Sequence, residues 1–308
     1  MHLTILSRSP AIYTTRRLVE AARERGHRAR VLDPVQVEMM LGGAEGPALY
    51  YRRKPLPRID VVVPRIAPSI HLHGLAVVNQ LQLQGVPVLN SAAAIAASRD
   101  KMQSLQLLAA SGVGVPRTVM ASDATRLREL VKHVGGVPVL VKLLGASEKG
   151  GVMISETLES LEAALEAILG LGQNIVVQQY VKGAKGRDLR AIVVGGRVVA
   201  ALRRRPRPGR FTRTLRRGAR FDAVALTPRQ ARAAIDAARI VGLEVCAVDL
   251  LDVKGRPLVF EVNSSPGIRE AEEACGCDVA SAIVAHAEVL AGHRSSAPRR
   301  RRERLPAA

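Results

Sequence analysis

Two acidic residues near the end of the chain have the types and the spacing to hold a cation. The stretch EVCAVDLLDVKGRPLVFEVN reads as two apolar strands joined by a turn at Lys254-Gly255. Counting outward from that turn sets Asp249 roughly opposite Glu261. Asn263, two residues further along, projects from the same face because side chains alternate along a strand. Two carboxylates and an amide oxygen then converge on one point. Left alone the carboxylates repel, and a hard divalent cation such as Mg2+ or Mn2+ resolves the repulsion with oxygen ligands. The plainer alternative is a hairpin with solvated acids on its outer face. The settings CAVDLL and LVFEVN are less cleanly alternating than such a face would be.

Those strands need a fold behind them. The first third alternates short apolar runs with helical patterns: MHLTILSR, an amphipathic helix stopping near Gly26, a strand from Ala29 to Leu32, RIDVVVPRI, the helix-compatible GLAVVNQLQLQG, and VPVLN. Strand, helix, strand in this rhythm predicts a parallel sheet covered by helices, ending near Asn90. No glycine fingerprint marks its first turn as a dinucleotide site, so this part reads as a scaffold. From Ser91 the pattern is helical up to Gly112 and Pro116. Next come a strand at Thr118 to Ala121, a helix at Ala124 to His133, the strand VPVLVKLL, the Gly-rich GASEKGG, the strand VMISE, a helix TLESLEAALEAILG and the strand NIVVQQYV. A hairpin turning at Gly195-Gly196, an arginine loop, a helix TPRQARAAIDAARIVGL, the acidic hairpin and a helix from about Asp278 complete the chain. The fold class is α/β (α+β).

Composition removes several functions. The 308 residues are 47% hydrophobic and 24% charged, an ordinary globular balance. Aromatics make up 2% with no Trp, which argues against a single-strand binder built on stacking platforms. Nine arginines and no acid lie between Arg203 and Arg220, and six arginines against Glu303 lie between Arg294 and Arg304; together they supply 14 of the 19 net positive charges. The excess is therefore local. Three cysteines make no disulfide framework and suit a reducing, cytoplasmic setting, and neither a membrane span nor a signal peptide is expected. No Ser-His-Asp or nucleophilic cysteine arrangement is legible.

FEVNSSPG and VDLL resemble the metal-binding end of the ATP-grasp carboxylate–amine ligases. With MHLTILSRSPAIYTTRRLVEAARERGH, VVPRIAPSI, ASRDKMQSLQLLAASGVGVP and VVQQYVKGAKGRDLRAIVVGG, the chain is similar to the RimK-like group over roughly residues 1 to 290. The resemblance implies an ATP-grasp fold: a Rossmann-like pre-ATP-grasp α/β domain (1–95), a small subdomain (96–180), a large subdomain with the metal site (181–294) and a disordered basic tail (295–308). It implies an ATP-dependent ligase that makes an amide bond through an acylphosphate, adding glutamate or a similar acidic amino acid to a protein C-terminus or related acceptor, such as a ribosomal protein. One or two Mg2+ or Mn2+ ions would sit on Asp249, Glu261 and Asn263. Lys142 and Lys101 would place ammonium groups on the nucleotide phosphates. The backbone around Gln179 and Tyr180 would read the adenine, and Asp188 and Arg190 would stand on the nucleotide side of the cleft, Arg190 with a catalytic role. A homo-oligomer, tetrameric by analogy, is also implied.

Two segments depart from the family pattern. A flexible phosphate loop resembling EGTQGIGV is here GASEKGGV, with Ala146 and Lys149 in place of glycines and Ser147 keeping a hydroxyl. The nucleotide-contacting triplet is Thr212, Arg213 and Thr214, in which Arg213 keeps a catalytic cation one position along, and Arg203 replaces an acid. The departures motivate one alternative, a nucleotide-binding protein without turnover. The basic tail motivates another, a ribosome- or RNA-associated module making phosphate contacts. His71 and His73 would share a strand face without further zinc ligands, and Cys275 and Cys277 are read as passive thiols.

Overall fold

The computed structural model describes residues 1–42, 46–121, 126–143, 152–169, 175–182, 188–205, 220–253 and 255–296. The chain opens with β1 (His2–Leu6), α1 (Tyr13–Glu24) and β2 (Arg28–Leu32). A small antiparallel sheet follows, β3 (Val37–Met40), β4 (Ala48–Tyr51) and β5 (Lys54–Pro55), then β6 (Val61–Pro64) and α2 (His71–Leu83). Strands β2, β1 and β6 form a parallel sheet in that order. Leu3, Ile5, Val61 and Val63 are buried in it, as expected of parallel strands covered on both faces. VPVLN, expected as a strand, makes only one parallel bridge, Val62 to Val88, because the chain turns off at once into the next helix.

Ser91 caps α3 (Ala92–Arg99) by accepting from the Ala94 amide, and Asp100 caps α4 (Lys101–Ala110) by accepting from Met102 and Gln103. These helices pack on the large sheet, where Ala94, Ala97 and Leu108 join its core. The segment after α4 passes close to a strand further on: the Val259 amide donates to the Gly114 carbonyl at 2.8 Å, and a Cβ on Gly114 would stand 2.9 Å from the Pro257 carbonyl oxygen. Only glycine fits that approach.

The next unit holds β7 (Thr118–Ala121), α5 (Leu127–His133), β8 (Val139–Leu143), β9 (Val152–Ser155), α6 (Leu158–Leu169) and β10 (Ile175–Gln179). Its antiparallel sheet runs β7-β10-β8-β9. Val131 of α5, Val134 just after it, and Leu161 and Leu165 of α6 cover Val139, Val141 and Val177 on one face. Alternation therefore assigns Lys142 to the other face.

The large sheet runs β13-β12-β11-β14-β15, all antiparallel, from β11 (Asp188–Val194), β12 (Arg197–Arg205), β13 (Arg220–Ala223), β14 (Val245–Val253) and β15 (Arg256–Asn263). Between β13 and β14 lies α7 (Pro228–Val241), opened by a Thr227/Gln230 capping box and closed by Gly242 in the left-handed region. It covers Leu189, Ala191, Val193, Val248 and Leu250. The opposite face, with Ile192, Ala200, Leu202, Val245 and Ala247, packs on α8 (Arg269–Cys275), α9 (Val279–Ser296) and the N-terminal α1. Strands β3 to β5 and β13, and helix α8, are elements that the sequence pattern does not announce. Among the described residues no single helix is long and apolar enough to cross a membrane.

Ion pairs close the seam between α1 and α9. Arg25 donates to both Glu288 carboxylate oxygens at 2.8 and 2.7 Å, and His27 Nε2 lies 2.6 Å from Oε1. Arg25 first, and His27 after it, hold the Glu288 carboxyl down to about 2, against the opposing effect of burial. A depressed folded-state pKa contributes stability that is fully present above the unfolded value near 4.5 and is lost as pH falls toward 2. We expect Glu288→Gln to flatten the pH dependence of thermal stability between those values while leaving it unchanged in sign above neutrality. Melting curves recorded from pH 2.5 to 7 check this, and an identical slope in the variant would refute it.

Candidate active site

The acidic hairpin is built as its turn implies, with one refinement. Asp249 pairs with Glu261 and Ala247 with Asn263, but Leu250 pairs with Val259. Phe260 is the extra residue of a β-bulge, and without it the carboxylates would fall out of step. On the other side of β14, Arg190 pairs with Asp249. Arg190, Asp249 and Glu261 thus form one row across β11, β14 and β15, on the face that also carries Ile192 and Ala247.

The row is charged and largely dry. Asp249 is 2% exposed, and Arg190 clasps it through Nε and Nη2, both at 2.7 Å from its two oxygens. Such a fork-to-fork pair is among the stronger charge-assisted contacts. Arg204 reaches Asp249 at 3.5 Å and Asp188 at 3.7 Å. The Asp249 charge keeps the Arg190 guanidinium protonated far above any working pH. Burial raises the Asp188 carboxyl, opposed by Arg204 and reinforced by Asp249. Asn263 accepts a hydrogen bond from the Ser265 amide at 2.9 Å through Oδ1.

The remaining expected residues come from the neighbouring elements. Lys142, on β8, places Nζ 5.9 Å from the centre of the Phe260 ring, which brings the small sheet onto the bulge beside Glu261. Gln179, at the end of β10, donates its amide to the Arg117 carbonyl at 2.8 Å and accepts from the Arg117 amide at 3.3 Å. Tyr180 follows it, half-buried, past the last paired residue. Lys101 is the first residue of α4, two positions after Arg99. Ser147, Thr212, Arg213 and Thr214 lie outside the described residues, as do most of the arginine loop and the basic tail.

A cavity of about 330 Å³ opens beside the row, lined by Arg190, Arg204, Phe221 and Asn263 of the sheet and by Ser7, Arg65 and Arg99 from before it. Ser7 and Arg65 stand just past the carboxyl ends of the parallel strands β1 and β6, the end at which open α/β sheets bind ligands. That position was the available signal for Arg65, and a scaffold-only reading of the first domain passes over it. Arg204 was likewise read only as part of a basic run, although its side chain is 8% exposed while Arg203 and Arg205 face outward.

The histidines do not behave as expected. His71 and His73 open helix α2 instead of sharing a strand face, so a spacing of two turns them apart, and His73 Nε2 meets the Pro34 carbonyl at 2.9 Å. Among the described residues no three His, Cys, Asp or Glu gather as a metal cluster. The oxygen set Asp249, Glu261 and Asn263 includes an amide and suits a hard divalent cation, since it offers two carboxylates in register and no soft donor.

Fold and site together define an ATP-grasp ligase. The overall architecture superposes on ATP-grasp ligase PsnB, solved with a minimal precursor, with a TM-score of 0.75 at 21% identity over 94% of this chain and 98% of that one. PsnB was also solved with Mg and ADP. A RimK PreATP-grasp domain model matches residues 1–95 and a RimK-like ATP-grasp domain model matches residues 98–287. Proteins named probable alpha-L-glutamate ligase from Marinomonas sp. and Teredinibacter turnerae are 43% and 45% identical, covering 94% and 92% of this chain and 96% and 94% of their own lengths. The chain belongs to the RimK-like ATP-grasp family and is an ATP-dependent ligase that forms C–N bonds.

Proposed function

We propose that this chain is an α-L-glutamate ligase that joins the amine of glutamate to a carboxylate at the end of a protein or peptide acceptor. The observation that carries the reading is the Arg190–Asp249–Glu261 row opening onto an arginine-lined cavity. ATP would phosphorylate the acceptor carboxylate to give an acylphosphate and ADP; the glutamate amine would then attack the acyl carbon, and phosphate would leave as the amide forms. No covalent nucleophile is needed, only charge neutralisation and positioning. Asp249, Glu261 and Asn263 would hold one or two Mg2+ or Mn2+ ions. A bound ion supplies charge neutralisation on the phosphate oxygens.

The chain's own side chains supply the rest. Lys142, whose Nζ lies over the Phe260 ring of β15, would serve as a phosphate cation. Arg190, fixed in direction by Asp249, presents its remaining donors to the transferring phosphoryl group. Arg213 would add a second cation from the arginine loop, and Ser147 a hydroxyl from the phosphate loop. Lys101 on the phosphates, the Gln179–Tyr180 backbone on the adenine, Asp188 on the nucleotide side and Thr212 and Thr214 beside Arg213 complete the proposed nucleotide site. A cytoplasmic enzyme with its ATP and glutamate drawn from the same compartment fits this chemistry.

Release of ADP tests the reading. With ATP, Mg2+, L-glutamate and a panel of acceptor peptides with free C-termini, ADP should accumulate only when all four components are present. A protein that binds ATP yet releases no ADP with any acceptor would overturn it.

A further inference from the structure

The cavity beside the proposed metal row carries polar groups that the described residues do not satisfy. Arg65 donates through Nη1 to the Pro266 carbonyl at 2.9 Å and forms no ion pair among the described residues. Burial alone pushes its guanidinium down to about 10, so it stays charged at neutral pH. Among the described residues the Arg204 Nε and the Ser265 hydroxyl are buried without a hydrogen-bond partner, and both residues line the same space. Arg99 is committed to the Ile66 carbonyl. Glu270 also faces the cavity and forms no hydrogen bond or ion pair among the described residues. Buried donors without acceptors are costly, and a carboxylate placed among them relieves the cost.

Resting on the glutamate reading above, we infer that this cavity is the binding site of the free amino acid, with Arg65, Ser265 and the Arg204 Nε receiving a carboxylate of glutamate and Glu270 facing its ammonium group. About 330 Å³ lies at the small end of ligand pockets, which suits one amino acid and not the body of a peptide. Several arginines and a single carboxylate, Glu270, share the lining, which matches a zwitterion bearing an extra carboxylate. The walls come from both the N-terminal domain and the large sheet, so the amino acid would be held next to the phosphates that the metal row serves.

Calorimetric titration of L-glutamate into the full chain with Mg2+ and ADP present tests the placement. A hydrogen bond to a charged group contributes about 1.5–3 kcal/mol, so Arg65→Gln should weaken glutamate binding at least roughly tenfold, with ADP affinity unchanged. Ser265→Ala should weaken it by a smaller factor without disturbing the fold, and Arg65→Lys should recover part of the Arg65→Gln loss. In ADP release the same variants should raise KM for glutamate more than they lower kcat. Unchanged glutamate affinity in both Arg65→Gln and Ser265→Ala, with ADP still bound, overturns the assignment. So does an Arg65→Gln effect confined to the KM of the acceptor peptide, which would give the cavity to the acceptor's carboxylate. A wild-type protein that binds no glutamate defeats the glutamate reading itself, and the inference with it.

Discussion

Asp249→Asn is expected to lower ADP release by about a thousandfold or more, because the same side chain that fixes the direction of Arg190 is the one proposed to hold the cation together with Glu261, its partner across β14 and β15. The same change removes the counter-charge of two guanidinium groups whose side chains are 18% and 8% exposed. Breaking a buried pair from one side costs about 3–5 kcal/mol, since it strands the surviving charge. Asp249→Asn should therefore lower stability as well as activity. The two losses separate in a second variant. Asp249→Leu combined with Arg190→Met removes the bidentate pair whole and leaves Arg204 its Asp188 contact at 3.7 Å, so it should regain part of the lost stability while remaining inactive. Glu261→Gln leaves the bidentate clasp in place and should raise the Mg2+ concentration needed for half-maximal ADP release by at least roughly tenfold, the lower end of what losing even an outer-shell partner costs. Urea unfolding and a Mg2+ titration of ADP release measure the two effects. An Asp249→Asn protein with wild-type Mg2+ dependence would remove the metal assignment.

The acidic hairpin was legible because its determinants are local: a Lys-Gly turn, two β-rich runs and a period of two. The bulge at Phe260 was not, and it matters, because it sets which residue faces Asp249. Phe260 has no turn chemistry to announce it, and its ring meets Lys142 Nζ of the small sheet, 5.9 Å from the ring centre, only in the folded chain. Helix α8 spans 7 residues, too few for a 3.6-residue period to assert itself. Strand β5 spans 2 residues and contains a proline, so nothing in its composition distinguishes it from a turn. The histidine error has a related cause. Alternating histidines suggested a strand, yet Pro68 and the Gly74 contact with Ile66 fit the helical start that the chain takes. Arg65, Arg204 and Ser265 became candidates only once three separate segments met around one cavity, because nothing local in the sequence joins them.

A stability effect of the same size is expected at a residue with no chemistry of its own. Asn90 is 1% exposed and spends its whole amide on the far end of the chain. Its Nδ2 donates to the Val245 carbonyl at 2.7 Å and to the Ser264 carbonyl at 3.1 Å, while its Oδ1 accepts from the Glu244 and Val245 amides at 2.7 and 2.8 Å. Four main-chain groups, three of them in buried bonds, thus depend on one side chain, and they belong to the start of β14 and to the residue after Asn263. At roughly 1 kcal/mol each, Asn90→Ala should cost about 4 kcal/mol in urea unfolding. Asn90→Asp should do no better. It keeps the two acceptor contacts but sets a carboxylate oxygen against two carbonyl oxygens in a dry site. Because Ser264 adjoins Asn263, any folded Asn90 variant should also need more Mg2+ for ADP release, by loosening the strand end that aims the amide ligand. An Asn90→Ala protein within about 1 kcal/mol of wild type would show that the groups find other partners, and that this bond set does not fix the end of β15.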